Sequence, residues 1–179
     1  MAESILFKVE KPEGTICTFH GIKPNLQNTE FHEGPYQRAI HFIETTECIV
    51  DDKRNPAGIL QHPVKLWKEV DIDTPFFKEC CHRRLLIPKI VFYFFHTIKG
   101  DTAPVNYFTI ELEQALIMSS RVVLYDTSEI HKPEDKIYSN AKSKPYIEEL
   151  IFNAQLIRWK YKRDKDPLAG DHGTEFRCP

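Results

Sequence analysis

The stretch DIDTPFFKECCHRRLLIPKIVFYFF, Asp71 to Phe95, holds the chain's one good helix signal and runs straight into its most apolar strand. Asp73 or Thr74 can cap a helix, and Pro75 suits the first helical position, where its missing N–H has no partner to lose. Phe76, Phe77, Cys80 and Cys81 then fall at i, i+1, i+4 and i+5 and share one helical face. Pro88 confines the helix, predicted over about 75–84, to two or three turns. A helix that short is held by packing rather than by propensity. KIVFYFFHTI, from Lys89 onward, is apolar on both faces, which places it between two layers.

Around this stretch the prevailing period is two. SILFKVE near the start reads as a strand closed by Pro12 and Gly14. AIHFIETTECIV, from Ala39 to Val50, reads as a second. VKLWKEV sets Val64, Leu66 and Val70 on one side and Lys65, Trp67 and Glu69 on the other. After a turn around Gly100-Asp101, NYFTIELEQALIMSS alternates again: Phe108, Ile110, Leu112, Leu116 and Met118 against Thr109, Glu111 and Glu113. The polar stretch from Asp126 to Pro145 reads as a long exposed loop. In YIEELIFNAQLIRWKYKR, the inward row Leu150, Phe152, Ala154 and Leu156 gives way to Ile157, Trp159 and Tyr161. A one-residue slip of this kind marks a bulge or bend. These elements describe a mostly-β single domain over 1–163 with one short helix. The tail 164–179 is expected to be peripheral or poorly ordered.

Composition narrows the function. The chain has 179 residues, 41% hydrophobic and 28% charged, enough to bury a core without disulfides or metal. Lys and Arg number 24 against 26 Asp and Glu, a formal charge of −2, so there is no basic footprint for nucleic acid. The apolar run Ile5 to Phe7 is too short for a signal peptide or a membrane span. The expectation is a chain made in the cytoplasm, without membrane insertion, whose export would proceed without a signal peptide. Five cysteines without framework spacing read as reduced thiols.

Chemical motifs are sparse. Cys80, Cys81 and His82 are adjacent, whereas metal loops use spacings such as C-x-x-C, because neighbouring side chains diverge. The eight histidines show neither H-E-x-x-H nor H-x-x-x-H spacing, and no P-loop, G-x-S-x-G or G-x-G-x-x-G occurs. Glu111 and Glu113 share a strand face in acid–base range of each other, and Glu148-Glu149 form another pair; solvated surface is the simpler account. Lys160, Lys162, Arg163 and Lys165 make a basic run beside aromatics, read as solvated surface or a salt-bridging edge rather than a nucleic-acid contact. No catalytic, cofactor or metal site is expected. Open strand edges and charged loops suit an assembly module.

Several motifs carry a family resemblance. LWKEVDIDTPFFKECC resembles the Hcp family (haemolysin-coregulated proteins), the tail-tube subunits of bacterial type VI secretion systems. There a strand ending in Lys-x-Ile/Val-Asp leads to Ser/Thr-Pro and a short helix. The matching residues are Lys68, Val70, Asp71, Thr74, Pro75, Phe77, Cys80 and Cys81. NYFTIELEQALIMSS is similar to the family's tyrosine-containing return strand from Tyr107, and IFNAQLIRWKY to its final aromatic strand through Trp159 and Tyr161. Where the family usually has Gly after the helix, this chain has Arg83-Arg84.

The resemblance implies two packed antiparallel β-sheets forming a barrel-like sandwich with one flanking helix. It implies no enzymatic activity and no cofactor. It implies homo-hexameric rings that stack into a tube, with the spike protein and sheath of the machine as partners and small effectors in the lumen. Ring contacts are expected from strand edges and the basic run Lys160 to Lys165. Asp51 to Pro63 reads from its residues as an ordinary loop, and the resemblance implies instead a projecting loop on which one ring rests on the next, with Ile59 and Leu60 as its apolar tip and Asp51, Asp52, Lys53 and Arg54 setting register. A β-sandwich enzyme or thiol-redox protein, and a related phage tail-tube protein, stay open as alternatives.

Overall fold

Ten strands and one helix form among the residues that the computed structural model describes: 4–22, 35–50, 56–96, 104–124, 146–161 and 172–177. In chain order they are β1 (Ser4–Val9), β2 (Gln37–Ala39), β3 (His41–Ile43), β4 (Thr46–Val50), β5 (Pro56–Gln61), β6 (Val64–Glu69), α1 (Thr74–His82), β7 (Leu86–His96), β8 (Val105–Leu124), β9 (Tyr146–Tyr161) and β10 (His172–Arg177). The helix is neither long nor apolar enough to cross a membrane.

The sheet runs β2-β1-β7-β8-β9-β6-β3, all antiparallel. Its two ends, β2 and β3, are consecutive in the chain. The sheet therefore curls until its ends meet at Ile40, whose N–H donates to the carbonyl of Trp67 on β6 at 2.7 Å. The result is the expected mostly-β, barrel-like fold with one helix. The single strand expected over 39–50 is instead three pieces, because one stretch must serve both ends of a closing sheet.

Phe7, Leu66, Ile90, Phe92, Leu112, Leu150 and Phe152 fill the barrel, and α1 adds Phe76, Phe77 and Cys80. The expectation that β7 is covered on both faces holds in part. Phe92 faces the main core, while Phe95 joins Leu6, Tyr36 and Tyr93 in a second, smaller cluster.

The alternation breaks along one line. On β8, Leu112 points inward, but so do Ala115 and Ile117, not Leu116 and Met118 as the simple period requires. Met118 is 56% exposed. β7 slips at the same level, from Ile90 to Ile87, and β9 from Ile157 to Ala154. Between these rows lie Pro88, Gln114 and Gln155, neighbours across three strands. Pro88 has no N–H for the ladder, and Gln114 takes φ of 50°, a left-handed conformation unusual for a side-chain-bearing residue. The slip expected in β9 is one part of a crease through three strands. Since all three shift together, their pairing register is unchanged there.

Candidate functional site

The resemblance motif converges at the foot of the helix. β6 contributes the row Val64, Leu66 and Lys68, so the lysine enters the core with the apolar side chains and is fully buried. Its Nζ donates to the Glu69 carbonyl and to Asp71 Oδ1, both at 2.7 Å, and lies 3.4 Å from Glu148 Oε2. It also stands 5.5 Å from the Phe77 ring centre. Glu148, fully buried on β9, accepts from Thr74 Oγ1 at 2.9 Å and Ser120 Oγ at 2.8 Å. Thr74 Oγ1 in turn accepts from the Asp71 N–H at 3.2 Å. Three strands and the helix start are thus tied by one polar knot. Buried charges are tolerated only when paired and hydrogen-bonded in this way.

Glu148 was not singled out from the sequence, where it reads as half of a solvated acidic pair. The signal is present nonetheless. Glu148 shares a row with Leu150 and Phe152, as Lys68 does with Val64 and Leu66. Two opposite charges in core rows of adjacent strands call for each other.

Asp73 precedes α1 as expected but does not cap it with its side chain. Its buried carboxylate instead accepts the N–H groups of His20 at 2.6 Å and Gly21 at 2.8 Å, and the Gln37 amide. Near the helix end, Glu79 does the same for Ile16 at 2.9 Å and Cys17 at 2.7 Å. Arg83 adds a bond to the Gly14 carbonyl at 2.7 Å and a salt bridge to Glu79 at 2.5 Å. The segment from Gly14 to Gly21 is therefore strapped along the helix by two carboxylates, with Phe19 wedged against Phe76 and Phe77 at 5.4 and 6.0 Å. The Ile16 and Cys17 N–H groups, aided by Arg83, hold the Glu79 carboxyl down at about 2.

The helix ends with Leu85 N–H on the Cys80 carbonyl and Arg84 N–H on the Cys81 carbonyl, which places Arg84 at φ 52°. This is the left-handed position where Gly is usual.

Cys80 is buried among aromatics, and desolvation pushes its thiol up to about 12. Cys17 and Cys81 are half-buried free thiols. Among the described residues, no group of three His, Cys, Asp or Glu could hold a metal ion.

On the outer face, Glu111 and Glu113 do lie together, but as partners of cations. Glu111 meets Lys160 at 2.7 Å and Lys89 at 3.0 Å, while Arg158 bonds Glu113 and reaches Glu111 at 3.9 Å. Burial works to raise the Glu111 carboxyl, but the two lysines outweigh it and hold it below the ordinary range. Arg121 and Glu149 extend the pattern. Carboxylates saturated by neighbouring cations form a sheet-spanning charge ladder rather than an acid–base pair.

Of the other residues singled out, Tyr107 stacks edge-on to His96 at 4.9 Å, and Trp159 Nε1 donates to Glu44 at 3.2 Å. Tyr161 is exposed at the end of β9, Val70 is half-buried beyond β6, and Pro75 is exposed at the helix start. Lys162, Arg163 and Lys165 lie outside the described residues, as do Asp51, Asp52, Lys53, Arg54 and the loop 126–145. Ile59 and Leu60, expected at a loop tip, are inside β5, opposite Cys48 and Glu47. β4 and β5 make their own two-stranded sheet, closed at its base by His62 N–H on the Thr45 carbonyl at 3.0 Å. Part of the tail, 172–177, lies along β9 as β10.

A family model described as "Type VI secretion system effector, Hcp" matches residues 52–161. Among solved structures, one titled "Crystal structure of Hcp protein" superposes with a TM-score of 0.68 at 13% identity, covering 97% of this chain and 99% of its own. "Secreted protein Hcp3 from Pseudomonas aeruginosa" gives 0.62 at 14%, covering 99% and 100%. Hcp1 from Salmonella typhimurium gives 0.63 at 11%, covering 99% and 95%. A search of curated protein sequences finds no match.

Proposed function

The chain belongs to the Hcp family of type VI secretion system effectors, and from that premise we propose that it is a structural subunit of the ejected inner tube. Six copies, the number the family resemblance implies, close a head-to-tail ring by one repeated heterologous contact. Rings stack into a tube that the sheath drives and the spike tips, and small effectors ride in the lumen. Assembly takes place in the bacterial cytoplasm, and the tube is secreted from there. No catalysis is assigned. The polar side chains brought together at the helix foot and on the outer face are consumed by one another, which suits a scaffold.

The observation that carries this reading is the β4–β5 hairpin. It pairs with no strand of the barrel among the described residues, and the family resemblance supports reading it as the projecting element on which one ring would rest on the next. Ile59 and Leu60 are consecutive in β5 and so belong to opposite faces of the hairpin; burying one of them against a neighbouring ring contributes roughly 1.5–3 kcal/mol per subunit before ordering costs. The test is native mass measurement, then imaging of a variant carrying Ile59→Ser and Leu60→Ser. A six-fold species whose stacks and secretion are lost in the variant supports the reading. A monomer, or stacking and secretion unchanged in the variant, refutes it.

A further inference from the structure

We propose that β10 is an exchangeable strand, and that the edge of β9 it covers is a docking site for the β10 of a second copy of this chain. β9 has β8 along one side throughout. Its other side is divided: β6 pairs with it from Ile147 to Phe152, and β10 from Leu156 to Tyr161. Among the described strands, β10 pairs with β9 alone. The family segment ends at Tyr161, the last residue of β9. β10 lies outside that segment and covers the half of the β9 edge that β6 leaves open.

An open edge presents unpaired N–H and C=O groups that accept any strand in register. Every copy carries both the acceptor edge and the one strand known to match it, from His172 opposite Tyr161 to Arg177 opposite Leu156. Exchange between copies keeps each of these pairings and needs no new complementarity, which is why a second copy is the occupant. Residues 162–171 join donor to acceptor, and a connection of that length spans up to about 35 Å, enough to reach an adjacent molecule. A tight turn would have forbidden this. The exchange does not depend on ring formation.

Two proteins test it, one carrying Tyr161→Cys and the other His172→Cys, each with Cys178→Ser. They are co-refolded in equal amounts, treated with oxidised glutathione and resolved without reductant. Directly opposed strand residues are within disulfide reach. The expected result is a covalent heterodimer, joined 161 to 172 by peptide mapping, taking up as much as roughly half of the chains, the share set by random pairing of two equal populations. The pair Leu156→Cys and Arg177→Cys reads the same exchange at the other end of the ladder. A mixture that stays monomeric, while a chain carrying both cysteines closes its own bridge, overturns the proposal. So does a double-cysteine chain that closes neither bridge, since β10 would then not lie on β9. A six-fold species without the cross-link refutes exchange and leaves the ring intact; the cross-link without a six-fold species does the reverse.

Discussion

Replacing Lys68 by Met, and Glu148 by Gln, singly and together, tests the knot beneath the helix. Removing one partner of a buried ion pair typically costs about 3–5 kcal/mol, because the other charge is left without compensation. The two ends of this pair are not equivalent. Without Lys68, the fully buried Glu148 keeps only the hydroxyls of Thr74 and Ser120, and Asp71 loses its contact at 2.7 Å. Two carboxylates are then under-compensated, so Lys68→Met is expected to cost about 3–4 kcal/mol. Without the Glu148 charge, Lys68 keeps Asp71 and the Glu69 carbonyl, the shorter of its contacts. Glu148→Gln is therefore expected to cost less, about 2 kcal/mol. The double variant should fall short of the sum by at least about 1 kcal/mol. Urea unfolding at one fixed protein concentration measures all three, so that any assembly contributes equally. A Glu148→Gln cost equal to or above that of Lys68→Met, or strict additivity, would falsify this account.

Arg84→Gly should stabilise the fold by about 1 kcal/mol, visible as a higher Tm, because Gly adopts φ near 52° without steric cost. Phe77→Ala, at a fully buried ring packed on Phe7, Phe19 and Phe76, should cost about 3–5 kcal/mol in the same unfolding assay. Glu79 sits at about 2 in the folded chain against an ordinary 4.5, so its contribution is complete above the ordinary value and is lost as pH falls from there towards 2. Protection of the Ile16 and Cys17 amides, taken relative to their intrinsic exchange rates, should fall through that window, and Glu79→Gln should abolish the pH dependence of that protection. The Cys80 thiol, raised to about 12 and buried, should resist iodoacetamide at pH 8 until denaturant is added.

Much of the barrel is legible in the sequence because a closed antiparallel sheet needs one thing repeated, an inward side chain at every second position. Phe7 and Val9, Val64 and Leu66, and Leu150 and Phe152 obey that rule. The helix is legible from Asp73, Pro75 and the Phe/Cys face, although Asp73 turns its carboxylate away from the helix to hold the strap. What is not legible depends on contacts distant in the chain. The strap has little pattern of its own; it is ordered by carboxylates more than fifty residues away. The crease follows from Pro88 and Gln114, neither of which reveals from sequence that its neighbours across the sheet will slip with it. Lys68 was visible as a motif residue, yet its partner Glu148 emerges only when β6 and β9 are laid side by side.

The crease also reverses which positions of a single strand are free to vary. Ahead of Gln114 on β8, the odd-numbered residues Glu111 and Glu113 face outward; beyond it the outward places pass to the even-numbered Leu116 and Met118, until the bulge after Ile117 returns them to odd-numbered Arg121. A family lineage drifting under selection for the fold alone would therefore accumulate changes in alternating parity along successive segments of one strand. Anyone grafting a label, a charge or a binding epitope onto this surface must change step at Gln114 and again at the bulge after Ile117. A pattern that decorates one segment harmlessly is driven into the core on the next.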